Sequence, residues 1–252
     1  MKKHLLLPVL LTLAALASLC EARINVLEPW HPGLDLSAGA LHSSALSPRF
    51  LWGERFLEIP VEYNYVTSQN IEVGGRLGVM SRAGKVGIND LMLGGKYLFF
   101  KETGQSPAVT GEAAVSLPTG NFSDGLGTGS VDLLIHWLAG KKFANLDGTF
   151  GLGMRFNSEN SDKFSAGNVF FYHLGASQAY NPDLRIYCEL KGATHGKGKY
   201  NTAEIDGSNY NELYFAPGAD YKLDNKTTLN ASLLIGMTSK SQDLGLLVST
   251  KF

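Results

Sequence analysis

From about residue 34 onward the side chains alternate in character with a period of two, and the alternation persists for roughly 10–14 residues at a time. Over 227–237 the odd positions read Thr227, Leu229, Ala231, Leu233, Ile235 and Met237, while the even ones include Asn230, Ser232 and Gly236. Leu146, Phe150, Leu152, Met154 and Phe156 share a face opposite Asp147, Thr149, Gly151 and Arg155. Val131, Leu133, Ile135 and Trp137 alternate with Asp132, Leu134 and His136. Successive strand side chains point to opposite faces, so these are strands with one apolar and one polar face. Strands of a soluble sandwich run about 5–6 residues. Stretches twice that length suit tilted strands crossing a bilayer.

The pattern places strands over 34–44, 55–66, 70–80, 87–100, 107–117, 129–142, 145–156, 167–180, 183–194, 210–222, 226–238 and 241–252. Every second connection is short: 67–69, 101–106, 143–144, 181–182 and 223–225. The others are usually longer and rich in Gly, Ser and charge, as in 118–128, 157–166 and 195–209. Short turns on one side and long loops on the other wire an outer-membrane barrel. In lipid every backbone polar group needs a partner, which strands meet only by closing on themselves. The expectation is therefore an all-β, antiparallel, closed transmembrane β-barrel of about twelve strands over 34–252, with short periplasmic turns and longer extracellular loops. Rings fall near the short-turn ends of the even strands: Tyr63, Tyr65, Tyr97, Phe99, Phe143, Tyr180, Tyr221 and Phe252. Amphipathic aromatics settle at the membrane–water boundary.

Lys2 and Lys3 precede an apolar run from Leu5 to Leu19, and Ala22 is a small residue at a cleavage point. Residues 1–22 read as a secretory signal peptide, and 23–33 as a periplasmic segment or partial plug. Cys20 admits a second reading, acylation of that cysteine, although Leu19 stands where a small residue is preferred. Cleavage after Ala22 leaves Cys188 as the single thiol, so no disulfide framework is expected. Losing two lysines and one glutamate moves the net charge from −1 to −2. A near-neutral chain is no nucleic-acid binder by bulk electrostatics.

Four motifs lie in order within 87–156: Gly87-Ile88-Asn89-Asp90-Leu91, Gly94-Gly95-Lys96-Tyr97, Leu117-Pro118-Thr119-Gly120, and Gly127-Thr128-Gly129-Ser130-Val131-Asp132. Together they resemble the outer-membrane barrel family of transporters associated with the meta-pathway of phenol degradation. That resemblance implies uptake of small, often aromatic or hydrophobic, compounds. On their own terms, Gly87, Gly94 and Gly95 suit close backbone approach, and Pro118 ends a strand because it cannot donate to a ladder.

With the apolar faces turned to lipid, the lumen candidates are Glu58, Glu62, Glu72, Arg76, Asp90, Lys96, Glu112, Asp132, His136, Lys142, Arg155, Arg185, Glu189, Lys191, Asp220 and Lys222. Both signs interleave, which suits cross-strand ion pairs stiffening the wall or charged positions tuning selectivity. No nucleophile motif is present, and His136 and Asp132 lie about 13 Å apart along one strand. Scattered histidines show no metal-ligand spacing. No enzyme activity, metal or cofactor is expected. Phe252, an aromatic on an alternating last strand, resembles the signal that barrel-assembly machinery reads. The expected role is an outer-membrane channel for small molecules in contact with the lipid bilayer. The alternative is a closed structural or adhesive barrel acting through its extracellular loops.

Overall fold

The computed structural model of the chain describes residues 42–46, 49–52, 56–68, 70–82, 84–224, 227–241 and 244–251. The strands begin with β1 (His42–Leu46), β2 (Arg49–Trp52), β3 (Phe56–Ser68), β4 (Ile71–Arg82), β5 (Lys85–Ile88), β6 (Leu91–Phe100) and β7 (Ala108–Leu117). They continue with β8 (Asp132–Phe143), β9 (Leu146–Phe156), β10 (Phe164–Ser165), β11 (Val169–Ala179) and β12 (Leu184–His195). The last are β13 (Lys199–Tyr200), β14 (Ala203–Glu204), β15 (Tyr210–Lys222), β16 (Thr228–Gly236) and β17 (Leu244–Lys251).

Fourteen strands form one sheet in which sequence neighbours are mostly space neighbours. From β4 the antiparallel ladder runs through β6, β7, β8, β9, β11, β12, β15 and β16 to β17. On its other side β17 pairs with β1 and β2, these both pair with β3, and β3 pairs with β4. β1 and β2 share the neighbours β3 and β17, and β5 and β6 both pair with β4. Asn89 and Asp90 separate β5 from β6. Pro48, which has no N–H to donate, falls between β1 and β2.

Strand runs past the expected limit of 44: β1 continues to Leu46 and β2 covers 49–52, both in a stretch expected as a connection, while 34–41 lie outside the described residues. Residues 1–41 and Phe252 lie outside the described residues, and with them the signal peptide, the 23–33 segment and the assembly signal. A second departure is a three-stranded sheet of β10, β13 and β14 inside stretches expected to be plain loops.

The two faces divide as the alternation requires. One carries exposed apolar side chains, among them Leu93, Phe99, Leu133, Trp137, Phe150, Phe215, Leu233 and Ile235. The other is buried and mixed: Leu98, Leu134, Leu138, Phe171 and Tyr214 stand among Arg76, Lys96, Glu112, Asp132, His136, Arg155 and Lys191. A soluble protein reverses this, since an apolar face of that extent is unstable in water. Tyr65, Tyr97, Phe99, Phe143, Tyr180 and Tyr221 are all exposed near the short-turn end.

Candidate functional site

A row of ionisable groups crosses the buried face. Glu72 on β4, Lys96 on β6, Glu112 on β7 and His136 on β8 are register partners in turn. Lys96 Nζ lies 3.8 Å from Glu72 Oε1, and His136 Nδ1 lies 3.3 Å from Glu112 Oε2. Directly opposite side chains in a ladder interact, and the Lys96 ammonium stands between two carboxylates, Glu72 and Glu112. His136 is wholly buried, with its ring 5.1 Å from that of Phe171 and 5.6 Å from that of His173 on β11. The row continues from His173 to its partner Lys191 on β12, whose Nζ is 2.7 Å from Glu189 Oε2.

β9 passes under this row with glycine at the two places where a side chain would stop it. A Cβ at Gly151 would run into His173 and lie 2.8 Å from His136 Nε2. At Gly153 it would run into Phe171. The rings therefore lie along the wall. Gly218 plays the same part for Tyr187, whose hydroxyl accepts from Asn230 Nδ2 at 2.7 Å.

Nearer the long loops, Arg155 Nη2 donates to Asp132 Oδ2 at 2.6 Å, with both side chains buried. Asp132 Oδ1 also accepts from Ser130 Oγ at 2.8 Å and Ser158 N at 3.1 Å. His195 and Glu212 are 3.6 Å apart and buried, with the imidazole stacked on Tyr210 at 4.1 Å. Nearer the turns, Arg185 bonds Asp147 and Ser177.

Three of the four sequence motifs converge at the loop end. Asp90 Oδ1 accepts from Gly120 N at 2.9 Å, and Oδ2 accepts from Thr128 N at 2.7 Å and Thr128 Oγ1 at 3.0 Å. Thr119 Oγ1 donates to Asn89 O at 3.0 Å and accepts from Leu91 N at 2.8 Å. Asn89 Oδ1 accepts from Gly78 N at 2.6 Å. Asn160 Nδ2 reaches Thr128 O at 3.4 Å, and the rings of Phe122 and Phe164 are 5.6 Å apart.

Glu72, Arg76, Lys96, Glu112, Asp132, His136, Arg155 and Lys191 all fall on the buried face, with half-buried Arg185, Glu189 and Asp220 beside them. Glu58 and Glu62 are in register with Met80 and Arg76, and their side chains lie outside the described residues. Lys142 and Lys222 are exposed at strand ends. Asp90 departs from expectation: it sits between two strands and spends its carboxylate on a loop, so it belongs to no row of the wall. Asp132 and His136, four apart on one strand, take separate partners from different neighbours. Glu212 was missed, although it shares parity with Asp220 on β15. Among the described residues no three His, Cys, Asp or Glu side chains gather closely enough to hold a metal ion.

An antiparallel sheet with an apolar face exposed and a charged face buried is the architecture of outer-membrane barrel proteins. It aligns with the crystal structure of an outer membrane channel from Pseudomonas putida F1 at a TM-score of 0.69 and 13% identity, covering 92% of this chain and 100% of that one. For the NanC porin the TM-score is 0.57 at 8% identity, with coverage of 84% and 99%. For the translocator domain of the autotransporter NalP from Neisseria meningitidis it is 0.51 at 14%, with coverage of 87% and 90%. At such identities the likeness is one of fold. Residues 35–252 match the family described as "Putative MetA-pathway of phenol degradation", and the chain belongs to that family.

Proposed function

We propose that the sheet closes into a twelve-stranded barrel in the outer membrane and passes small aromatic or hydrophobic molecules through its interior. Closure is supported by β17 pairing on both sides, and the count by taking β1 with β2, and β5 with β6, as single interrupted strands. The exposed apolar face is then the lipid face, and the buried charged face lines the lumen. The carrying observation is the row from Glu72 to Lys191, in which Lys96 pairs with Glu72, Lys191 pairs with Glu189, and the His136 ring meets the Glu112 carboxylate. A compensated wall repels neither sign strongly, and the buried side chains of Phe171, Tyr214 and Leu134 set apolar groups among the charges. That mixture suits a neutral ring bearing a hydroxyl, which agrees with a family described by phenol degradation.

Twelve strands spaced about 4.8 Å and tilted about 40° give a backbone diameter near 24 Å. Side chains narrow this to roughly 8–12 Å. Export by residues 1–22 and insertion by the barrel-assembly machinery complete the proposal. Refolded protein in planar bilayers should show discrete conductance steps, and liposomes carrying it should admit phenol-sized neutral solutes faster than empty ones. A silent bilayer together with unchanged permeation rejects the channel. That result would favour the second reading, a closed barrel acting through its loops, which the complete burial of His136 and the separate loop sheet also suit.

A further inference from the structure

We propose that Asp90 is a positioning residue that clamps segment 118–131 as an inward-folded constriction, and so sets the size of solute that passes. The inference rests on the channel reading. Val86 and Ile88 of β5 are exposed on the apolar face, whereas Gly87 between them is in register with Met80 on the opposite face. Leu126 packs onto Gly87 from that opposite side, 2.7 Å from where a Cβ would stand, and is itself 3% exposed. The apex of the segment therefore lies against the lumen face and not over the rim.

Asp90 holds both ends of the excursion. One carboxylate oxygen takes Gly120 N, and the other takes the N–H and hydroxyl of Thr128. A carboxylate accepts on both oxygens, whereas an asparagine would turn its NH2 toward one of these donors. A Cβ at Gly127 would run into Asp90 Oδ1, and one at Gly120 into the carbonyl of Leu126, so the motif glycines leave room for the clamp. Asp124 is tied to Lys85 at 3.4 Å, and the Phe122–Phe164 pair joins the segment to the neighbouring loop. Three of the four sequence motifs, those at 87–91, 117–120 and 127–132, thus build one device. Asp90, with its oxygens turned to these donors, acts on solutes through the loop it holds.

The test compares unitary conductance and the size cut-off for neutral sugars in liposome swelling, using refolded full-length protein. Heat-modifiable gel migration confirms folding for each variant. Opening a passage from about 8 to about 12 Å roughly doubles its cross-section, so Asp90→Ala should raise conductance about twofold and admit larger sugars. Asp90→Asn should fall between. Replacing 121–126 by Gly-Gly, with Asp90 intact, should give the same increase and decides the matter if Asp90→Ala fails to fold. Wild-type conductance and cut-off in folded Asp90→Ala and in the shortened loop overturn the clamp while leaving the channel standing. Silence in every variant and in the wild type overturns the channel itself, and the clamp with it.

Discussion

The two ends of the sheet settle their backbone polar groups in different ways. At the turn end the partners are mostly local. Asn181 Oδ1 accepts from Asp183 N at 2.9 Å and Leu184 N at 2.8 Å. Asp224 Oδ1 accepts from Thr227 N at 2.8 Å, and Thr103 Oγ1 accepts from Ser106 N at 3.0 Å. The exception is the 101–107 turn, where Glu102 and Thr103 reach Lys142 and Lys141. At the loop end local bonds such as Asn160 Oδ1 with Asp162 N are joined by distant ones: Asp90 with 120 and 128, Asp132 with 155 and 158, and β10 with β13. A turn closed within itself forms early and fails alone. A cap built from several loops forms only after the wall has brought them together, because long loops must close first.

The largest effect should come from the loop end. Arg155→Ala leaves the buried Asp132 carboxylate without its cation, which costs about 3–5 kcal/mol. Urea unfolding of the refolded protein should show the loss, and a loss no greater than that of a turn mutant would break the contrast between the ends. The wall between the two ends supplies a reference. Leu233 is exposed on the apolar face and Ser232 is buried on the other. Leu233→Arg should therefore cost roughly 2–4 kcal/mol, because a cation enters lipid, and Ser232→Arg should cost less. Equal destabilisation would mean that the faces are misassigned.

At the turn end, Asn181→Ala removes one acceptor serving two donors, and about 1 kcal/mol should be lost. Hydrogen exchange should quicken at 180–184 and nowhere in the loops. The smallest effect concerns the Lys197–Glu204 pair, 3.0 Å apart and exposed within the loop sheet. The hydrogen bond from Lys197 holds the Glu204 carboxyl below its ordinary value, and the same bond pushes the Lys197 ammonium above its own. The carboxyl contribution is present above the ordinary carboxylate range and is lost as pH falls through the depressed value. The ammonium contribution is present below the ordinary lysine range and is lost as pH rises through the raised value. Amide protection in β13 and β14 should thus fade at both extremes, and flat protection in acid would remove the pair from the account.

The same contrast explains what could be read in advance. The long strands between 56 and 251 were legible because each carries its period within itself, and parity placed Glu72, Lys96, Glu112, His136 and Lys191 on one face. Their pairing partners followed once the strands were in order. Asp90 misled because it interrupts an alternation that parity alone continues, and because its partners sit 30 and 38 residues away. Glycine-rich stretches there read as slack loop, although their glycines are places where packing forbids a side chain. The loop sheet was hidden by strands only two residues long, too short to show any period.

Gly151 and Gly153 also bear on calibre. In the proposed barrel, strand number and tilt set the backbone circumference, so below the loops the bore answers to the posture of the side chains inside. Two imidazoles and a phenyl ring recline here because β9 offers them bare backbone. Alanine at either site would push a ring away from β9 and, on the barrel reading, toward the interior, narrowing it by one methyl group without adding, removing or re-registering a strand.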